Sequence, residues 1–304
     1  MKYTHCIECG RKVSKNCKKG HCSKCYDRSG KIPEIKIDKD YSYLIGFAQG
    51  DGSMYQNTRN RGKFSITINY DDRNILEYLN LMIPCHGNLT KLVKKNLKVF
   101  GRVYSKKIYS QLSVNNKGFR DFMLKCGVPY GKKDGVVSPP LHLDTLCVND
   151  YIRGLIDADG SVGFTSNKIP FLSLTTNSDE IKDFIIDNIS RVTGSSRKDI
   201  NRNKRDNIYN IVIYKEDAVV FAKEVYYKGC LSIDRKYKNA RDVSKWIRPL
   251  HMKKIDFKRK RWVAEEDTYL LSHSLEEASV ALDRTLKSVT IRKFRLTKLN
   301  KVSK

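Results

Sequence analysis

The 304 residues are too many for one small core and suit two or three domains, and a hydrophobic share of 40% argues against wholesale disorder. A surplus of 59 lysines and arginines over 33 acidic residues leaves a formal net charge of +26, a field that suits a polyanion. DNA or RNA ranks above a membrane surface as that partner, because no apolar run approaches the ~20 residues of a bilayer span. The opening residues MKYTHCIECG lack the apolar stretch of a signal peptide, so the expected location is the cytoplasm, or the interior of a host cell or organelle, with no secretion.

Five of the nine cysteines fall between Cys6 and Cys25. An odd count in a reducing compartment argues against a disulfide scaffold, and Cys85, Cys126, Cys147 and Cys230 read as small core residues. Within residues 1–32 the pairs Cys6/Cys9 and Cys22/Cys25 form two CxxC knuckles, a spacing that suits one tetrahedral Zn²⁺ held by four thiolates. The segment has too few large apolar side chains to fold alone, so the metal would supply its folding energy. Cys17, His5 and His21 stand as alternative donors. Residues 31–42 read as a linker.

From there to about residue 240 the chain repeats at an offset of 108. Tyr43 matches Tyr151, Gly46 matches Gly154, and Asp51-Gly52-Ser53 matches Asp159-Gly160-Ser161. Further on, Ser65–Asp71 lies over Ser173–Asp179. Such a duplication implies two halves, 40–140 and 148–240, about an internal pseudo-twofold axis in a monomer. Each half reads as a helix ending at Asp-Gly, a hairpin, a helix (about 72–82; 178–193), a long basic hairpin (about 89–114; 198–214) and a last helix (about 116–126; 215–226). The expected fold is α+β: two αββαββα halves with helices on one face of each sheet. Phe64, Ile66 and Ile68 alternate with Lys63, Ser65, Thr67 and Asn69, and Ile108, Leu112 and Val114 with Lys107, Tyr109, Gln111 and Ser113. The polar face so formed, together with Arg202 and Lys204 in the second half, is the expected surface for double-stranded DNA, since a two-stranded ribbon fits the major groove.

After residue 240 a basic run leads into residues 255–304, where three short helices are expected at about 265–272, 275–282 and 286–296, with Ser274 and Thr285 as N-caps. The last carries Lys287 and Arg292, a helix-turn-helix layout with a basic third helix for DNA. Trp262 with Glu265-Glu266-Asp267 makes this segment similar to Myb/SANT-type domains.

The two motif helices carry the chemistry. Gly52 and Gly160 are expected in the left-handed conformation that ends a helix, which fixes Asp51 and Asp159 at helix C-termini. Gly46/Gly50 and Gly154/Ala158, four residues apart, let the two helices pack backbone to backbone and bring both carboxylates to the pseudo-axis. Two carboxylates and two negative helix ends repel unless cations lie between them, and hard divalent ions, Mg²⁺ foremost, are the natural answer. Such ions activate water for phosphodiester hydrolysis.

LIGFAQGDG (44–52) and IRGLIDADG (152–160) resemble the paired motifs of single-chain LAGLIDADG homing endonucleases, over roughly residues 40–240. The resemblance implies a DNA-binding saddle and metal-dependent cleavage of both strands across the minor groove, leaving short 3′ overhangs. It places the catalytic acids at Asp51 and Asp159. Two or three shared Mg²⁺ ions are implied there, with main-chain ligands from Gly50 and Ala158. Asp157, opposite Gln49 in the other copy, is not implied as essential. The family's lysine near each scissile phosphate falls on Lys133, with Lys132 as alternative, and on Lys236; Gln111 is a further polar candidate. The first segment resembles a zinc ribbon. An RNA-binding maturase that assists intron splicing and a nuclease-inactive DNA-binding regulator stand as the alternatives to a site-specific endonuclease.

Overall fold

The computed structural model describes residues 4–6, 10–13, 22, 32–57, 61–99, 102–133, 135–195, 200–203, 205–250, 252 and 262–302. The chain divides into two compact units, Met1–Arg248 and Pro249–Lys304.

In the larger unit, helix α1 (Lys39–Asp51) starts at Asp38, whose carboxylate accepts the Tyr41 N–H at 2.9 Å. Every residue from Ser42 to Gln49 is buried, as expected of a helix covered on all sides. Strands β1 (Gly52–Gln56) and β2 (Gly62–Asn69), helix α2 (Asn74–Met82), strands β3 (Gly87–Val99) and β4 (Arg102–Val114) and helix α3 (Lys117–Lys125) follow. The sheet is antiparallel in the order β1-β2-β4-β3. Phe64, Ile66, Leu112 and Val114 point into one core with Leu44, Phe47, Leu76 and Phe119.

The second half repeats the plan with α4 (Val148–Asp159), β5 (Gly160–Phe164), β6 (Pro170–Thr176) and α5 (Asp179–Thr193), then β7 (Tyr209–Tyr214) and α6 (Lys215–Val225). The duplication extends to the pairing register: Gly52 faces Ile66 and Ser53 faces Ser65, while Gly160 faces Leu174 and Ser161 faces Ser173. The expected long hairpin over 198–214 is a correction. Among the described residues only β7 forms there, and the sheet has three strands, β5-β6-β7. Asn203 N–H donates to Ile208 O at 2.8 Å and Asn207 takes a φ of 54°, so a tight Asn/Asp-rich turn replaces the ribbon. Residues 196–199 and Lys204 lie outside the described residues. A further helix, α7 (Asp234–Ser244), was not expected.

The second core contains Ile152, Leu155, Leu172, Ile185 and Phe221, and it also takes Ile45, Cys126 and Val137 from the first half. The first core takes Ile233 from the second. The halves therefore share their interiors along α1 and α4. Cys85 and Cys126 are buried as expected, whereas Cys147 and Cys230 are only half-buried.

The smaller unit has α8 (Ala264–Ser272), α9 (Leu275–Ala281) and α10 (Leu286–Val302) around Leu270, Ala278 and Val289. Ser274 caps α9 reciprocally with Glu277. Arg284 stacks on Trp262 at 3.9 Å and pairs with Glu266 at 2.6 Å. Among the described residues of either unit, no helix is long and apolar enough to cross a membrane.

Candidate active site

The site begins at the contact of α1 with α4. A methyl group on Gly154 would lie 2.7 Å from Phe47 N and closer still to Tyr43 O. One on Gly46 would lie 3.0 Å from Tyr151 C and closer to its oxygen. Only glycine allows this approach. Gly52 and Gly160 need glycine for a different reason from the one expected: their φ values are −73° and −113°, extended rather than left-handed. Each helix passes directly into a strand, and a side chain at either glycine would strike the preceding turn, at Ala48 Cα (2.9 Å) or Ile156 O (2.7 Å).

The seam brings the two helix ends together. A methyl on Gly50 would fall 2.8 Å from Asp159 Oδ2. Burial, then the neighbouring charge of Asp159, pushes the Asp51 carboxyl up to about 7, against the pull of Lys133 and Lys236. Burial raises Asp159 as well, although its side chain keeps an opening to solvent.

Both lysines reach this point. Lys133 Nζ donates to Gln49 O at 3.0 Å and to Gly50 O. Lys236 Nζ donates to Ile156 O (2.8 Å), Asp157 O (2.7 Å) and Gly160 O (2.9 Å), carbonyls that flank Ala158. Each ammonium thus caps the negative end of one motif helix. Burial lowers the pKa of both, with the two acids acting in the opposite direction on Lys133. Lys132 is exposed on the same loop. Gly50 O, expected to face an ion, is engaged by Lys133.

The donor set fits hard divalent ions. It offers oxygen only, and burial raises the proton affinity of both carboxylates in spite of the two lysines, a cost that a bound cation would offset. Among the described residues no cluster of three or more His, Cys, Asp or Glu forms. Two carboxylates would therefore need main-chain, water or phosphate oxygens to complete a six-fold shell. A cavity of about 280 Å³, lined by Gln49, Gly50, Lys133, Asp159, Thr175 and Asn177 among others, opens beside them.

Several supporting residues were not foreseen. Asp157 is 1% exposed and accepts from Tyr43 Oη (2.9 Å), Tyr226 Oη (2.7 Å) and Ile233 N–H (2.8 Å). Gln49 Oε1 accepts from Tyr151 Oη at 2.6 Å, and its Nε2 donates to Cys126 O (3.0 Å) and Ser138 O (3.1 Å). Buried Arg153 holds Leu231 O and Val225 O, each at 2.7 Å, and pairs with Asp150. The matching motif positions of Gln49 and Asp157 were the only sequence signal.

On the sheet, Ser65 pairs with Ser113, Thr67 with Gln111 and Asn69 with Tyr109, so these residues share a face. Lys63 and Asn69 are exposed, and Lys107 lies 5.6 Å over the Tyr109 ring. One residue departs from the expected exposed face. Ser65 is 6% exposed beneath Ser53, whereas Gln111 stays on that face and donates to Thr67 Oγ1 at 2.8 Å. Arg202 is held by Asp179 at 2.8 Å and lies 4.5 Å over Tyr209. In the smaller unit Lys287 is exposed, but Arg292 pairs with Asp267 at 2.5 Å, which directs it into the bundle. Of the proposed zinc ligands, Cys6 and Cys22 are described, and Cys9 and Cys25 lie outside the described residues. Gly10 N–H donates to Cys6 O at 2.9 Å.

Residues 147–226 match the family described as a LAGLIDADG-like domain. Over 168 residues the chain is 28% identical to the tRNA-splicing ligase RtcB of Methanocaldococcus jannaschii, covering 49% of this chain and 17% of that protein, so it spans about a sixth of that relative's length. Among solved structures it is similar to the homing endonuclease I-WcaI bound to its DNA recognition sequence, with a TM-score of 0.49, 16% identity, and 75% and 94% of the two chains covered. It is also similar to the I-SmaMI LAGLIDADG homing endonuclease bound to cleaved DNA, with a TM-score of 0.41, 13% identity, and 69% and 88% covered.

Proposed function

We propose that this chain is a site-specific double-strand DNA endonuclease that hydrolyses one phosphodiester in each strand, using Asp51 and Asp159, and leaves short 3′ overhangs. One observation carries the reading: two abutting helices each end on a carboxylate whose proton affinity is raised by burial, with a lysine at each helix end. Asp51 and Asp159, with the Ala158 carbonyl, would hold Mg²⁺ between them. The bound ions would acidify water and offset charge on the leaving oxygen. Lys133 and Lys236, bound to the carbonyls at the two helix ends, would balance the negative charge gathered there beside the acids.

The polar sheet face, with Lys63, Thr67, Asn69, Lys107 and Tyr109, serves as the DNA surface. The charge of +26 supports a polyanion as the partner. Residues 1–32, as a zinc module, and 255–304, as a helix-turn-helix that presents Lys287, would extend the contact along the duplex.

The test is incubation of the purified chain with Mg²⁺ and a randomised duplex library, followed by sequencing of the cut ends. A single long recognised site with a staggered 3′ end is expected. If no duplex is cut but splicing of an intron RNA is accelerated, the maturase reading replaces this one.

A further inference from the structure

The residues at the sixth position of each motif do more than fill the seam. Gln49 donates to Cys126 O and Ser138 O, which bracket the loop that carries Lys133. Asp157 accepts the N–H of Ile233, the N-cap of α7, and Lys236 lies one turn further along that helix. The two motif helices thus grip, from matching positions, the segments that deliver the two lysines. Each gripping residue is also held by a tyrosine of the opposite helix, Tyr151 for Gln49 and Tyr43 for Asp157.

The two grips differ in kind. Gln49 ties the two ends of a loop, whereas Asp157 fixes the N-cap of a regular helix whose geometry transmits any shift directly to Lys236. The Arg235–Asp72 pair at 3.0 Å also touches this end of α7, but the arginine is exposed, and such pairs hold geometry weakly.

We propose that Asp157 is a positioning residue: by pinning Ile233 it sets α7 so that Lys236 meets the end of α4, and it serves one strand's cleavage site and not the other. This rests on the endonuclease reading for its effect on rate, but the clamp itself stands apart from it. Asn at this position retains an acceptor for Ile233 and can donate its amide to the Tyr226 oxygen, just as Gln49 works with an amide in the other half. Ala removes the acceptor.

The experiment compares the full-length chain with Asp157→Ala, Asp157→Asn and Lys236→Met on a cleaved target labelled on both strands, in single-turnover reactions. Asp157→Ala is expected to slow the strand that Lys236→Met slows, by roughly 10- to 100-fold, the scale of a displacement of about 1 Å. The other strand and DNA affinity stay within about threefold, the scale of a contact left untouched, and Asp157→Asn stays near wild type. Equal slowing of both strands, or no slowing, overturns the proposal. If Asp157→Ala does not fold, Tyr226→Phe removes one anchor of the carboxylate and should shift the same strand by a smaller factor. Hydrogen exchange provides the second readout: amides 233–240 should lose protection in Asp157→Ala while the rest of the chain keeps it. A wild-type chain that cuts no duplex defeats the endonuclease reading alone. Unchanged protection at 233–240 then overturns the clamp, and selective loss upholds it.

Discussion

Replacing Gly154 by Ala places a methyl 2.7 Å from Phe47 N, against an optimum near 3.5 Å for such contacts. Both partners are helix backbone, so rotamer changes cannot relieve the clash and α1 and α4 must part by about 1 Å. Overpacking of this kind costs about 1–3 kcal/mol, while removal of a mid-helix glycine returns about 1 kcal/mol. A net loss of roughly 1–2 kcal/mol follows at the upper end of that range, read as a lower denaturant midpoint at unchanged slope. Catalysis should suffer more, since Asp51 and Asp159 sit at the ends of the separated helices and a 1 Å displacement costs on the order of 100-fold in rate. Urea titration and single-turnover cleavage of the same preparation measure the two effects. A variant stabilised by the propensity gain and cutting at the wild-type rate would refute the seam as the element that assembles the site.

Asp51 provides a pH test. Its carboxyl is pushed up to about 7 against an ordinary 3.8, so the folded chain binds the extra proton between these values and its contribution to stability is lost as pH rises from about 4 to 7. Thermal melts in EDTA should therefore fall across that window, and Mg²⁺ should raise the melting temperature more at pH 8 than at pH 5.5; an equal rise at both would contradict the raised carboxyl. Lys133→Met and Lys236→Met should each slow cleavage with little change in DNA affinity, and affinity lost in proportion to rate would make them phosphate contacts. Metal analysis of the full chain should find about one zinc, from four thiolates per ion, and none would remove the knuckles at Cys6–Cys25 from the account.

Much of the fold was readable because it was written twice. The repeat predicted the seam glycines, the placement of both acids at helix ends and the strand faces, and the alternation of Phe64, Ile66 and Ile68 reappears in the core. Short-range chemistry was misread in two places. Gly52 and Gly160 looked like helix terminators, yet close packing against the preceding turn is what demands glycine. The segment 198–214 looked like a ribbon by analogy with 89–114, but its Asn- and Asp-rich stretch has no alternating apolar side to bury. Helix α7 was missed because DRKYKNARDVS carries few apolar residues, of which Ala240 and Val243 face the core. The tyrosine network lay beyond sequence altogether, since Tyr43 and Asp157, 114 positions apart, meet only when the two motif helices pack together.

The most direct test of a composite two-acid site is strand-resolved cleavage by Asp51→Asn and Asp159→Asn on a target that the wild-type chain cuts. Each variant should bind that target with about wild-type affinity and leave at least one strand intact, as expected when one carboxylate of a shared ion site is lost. Undiminished double-strand cleavage by either variant would contradict the site at the meeting of α1 and α4.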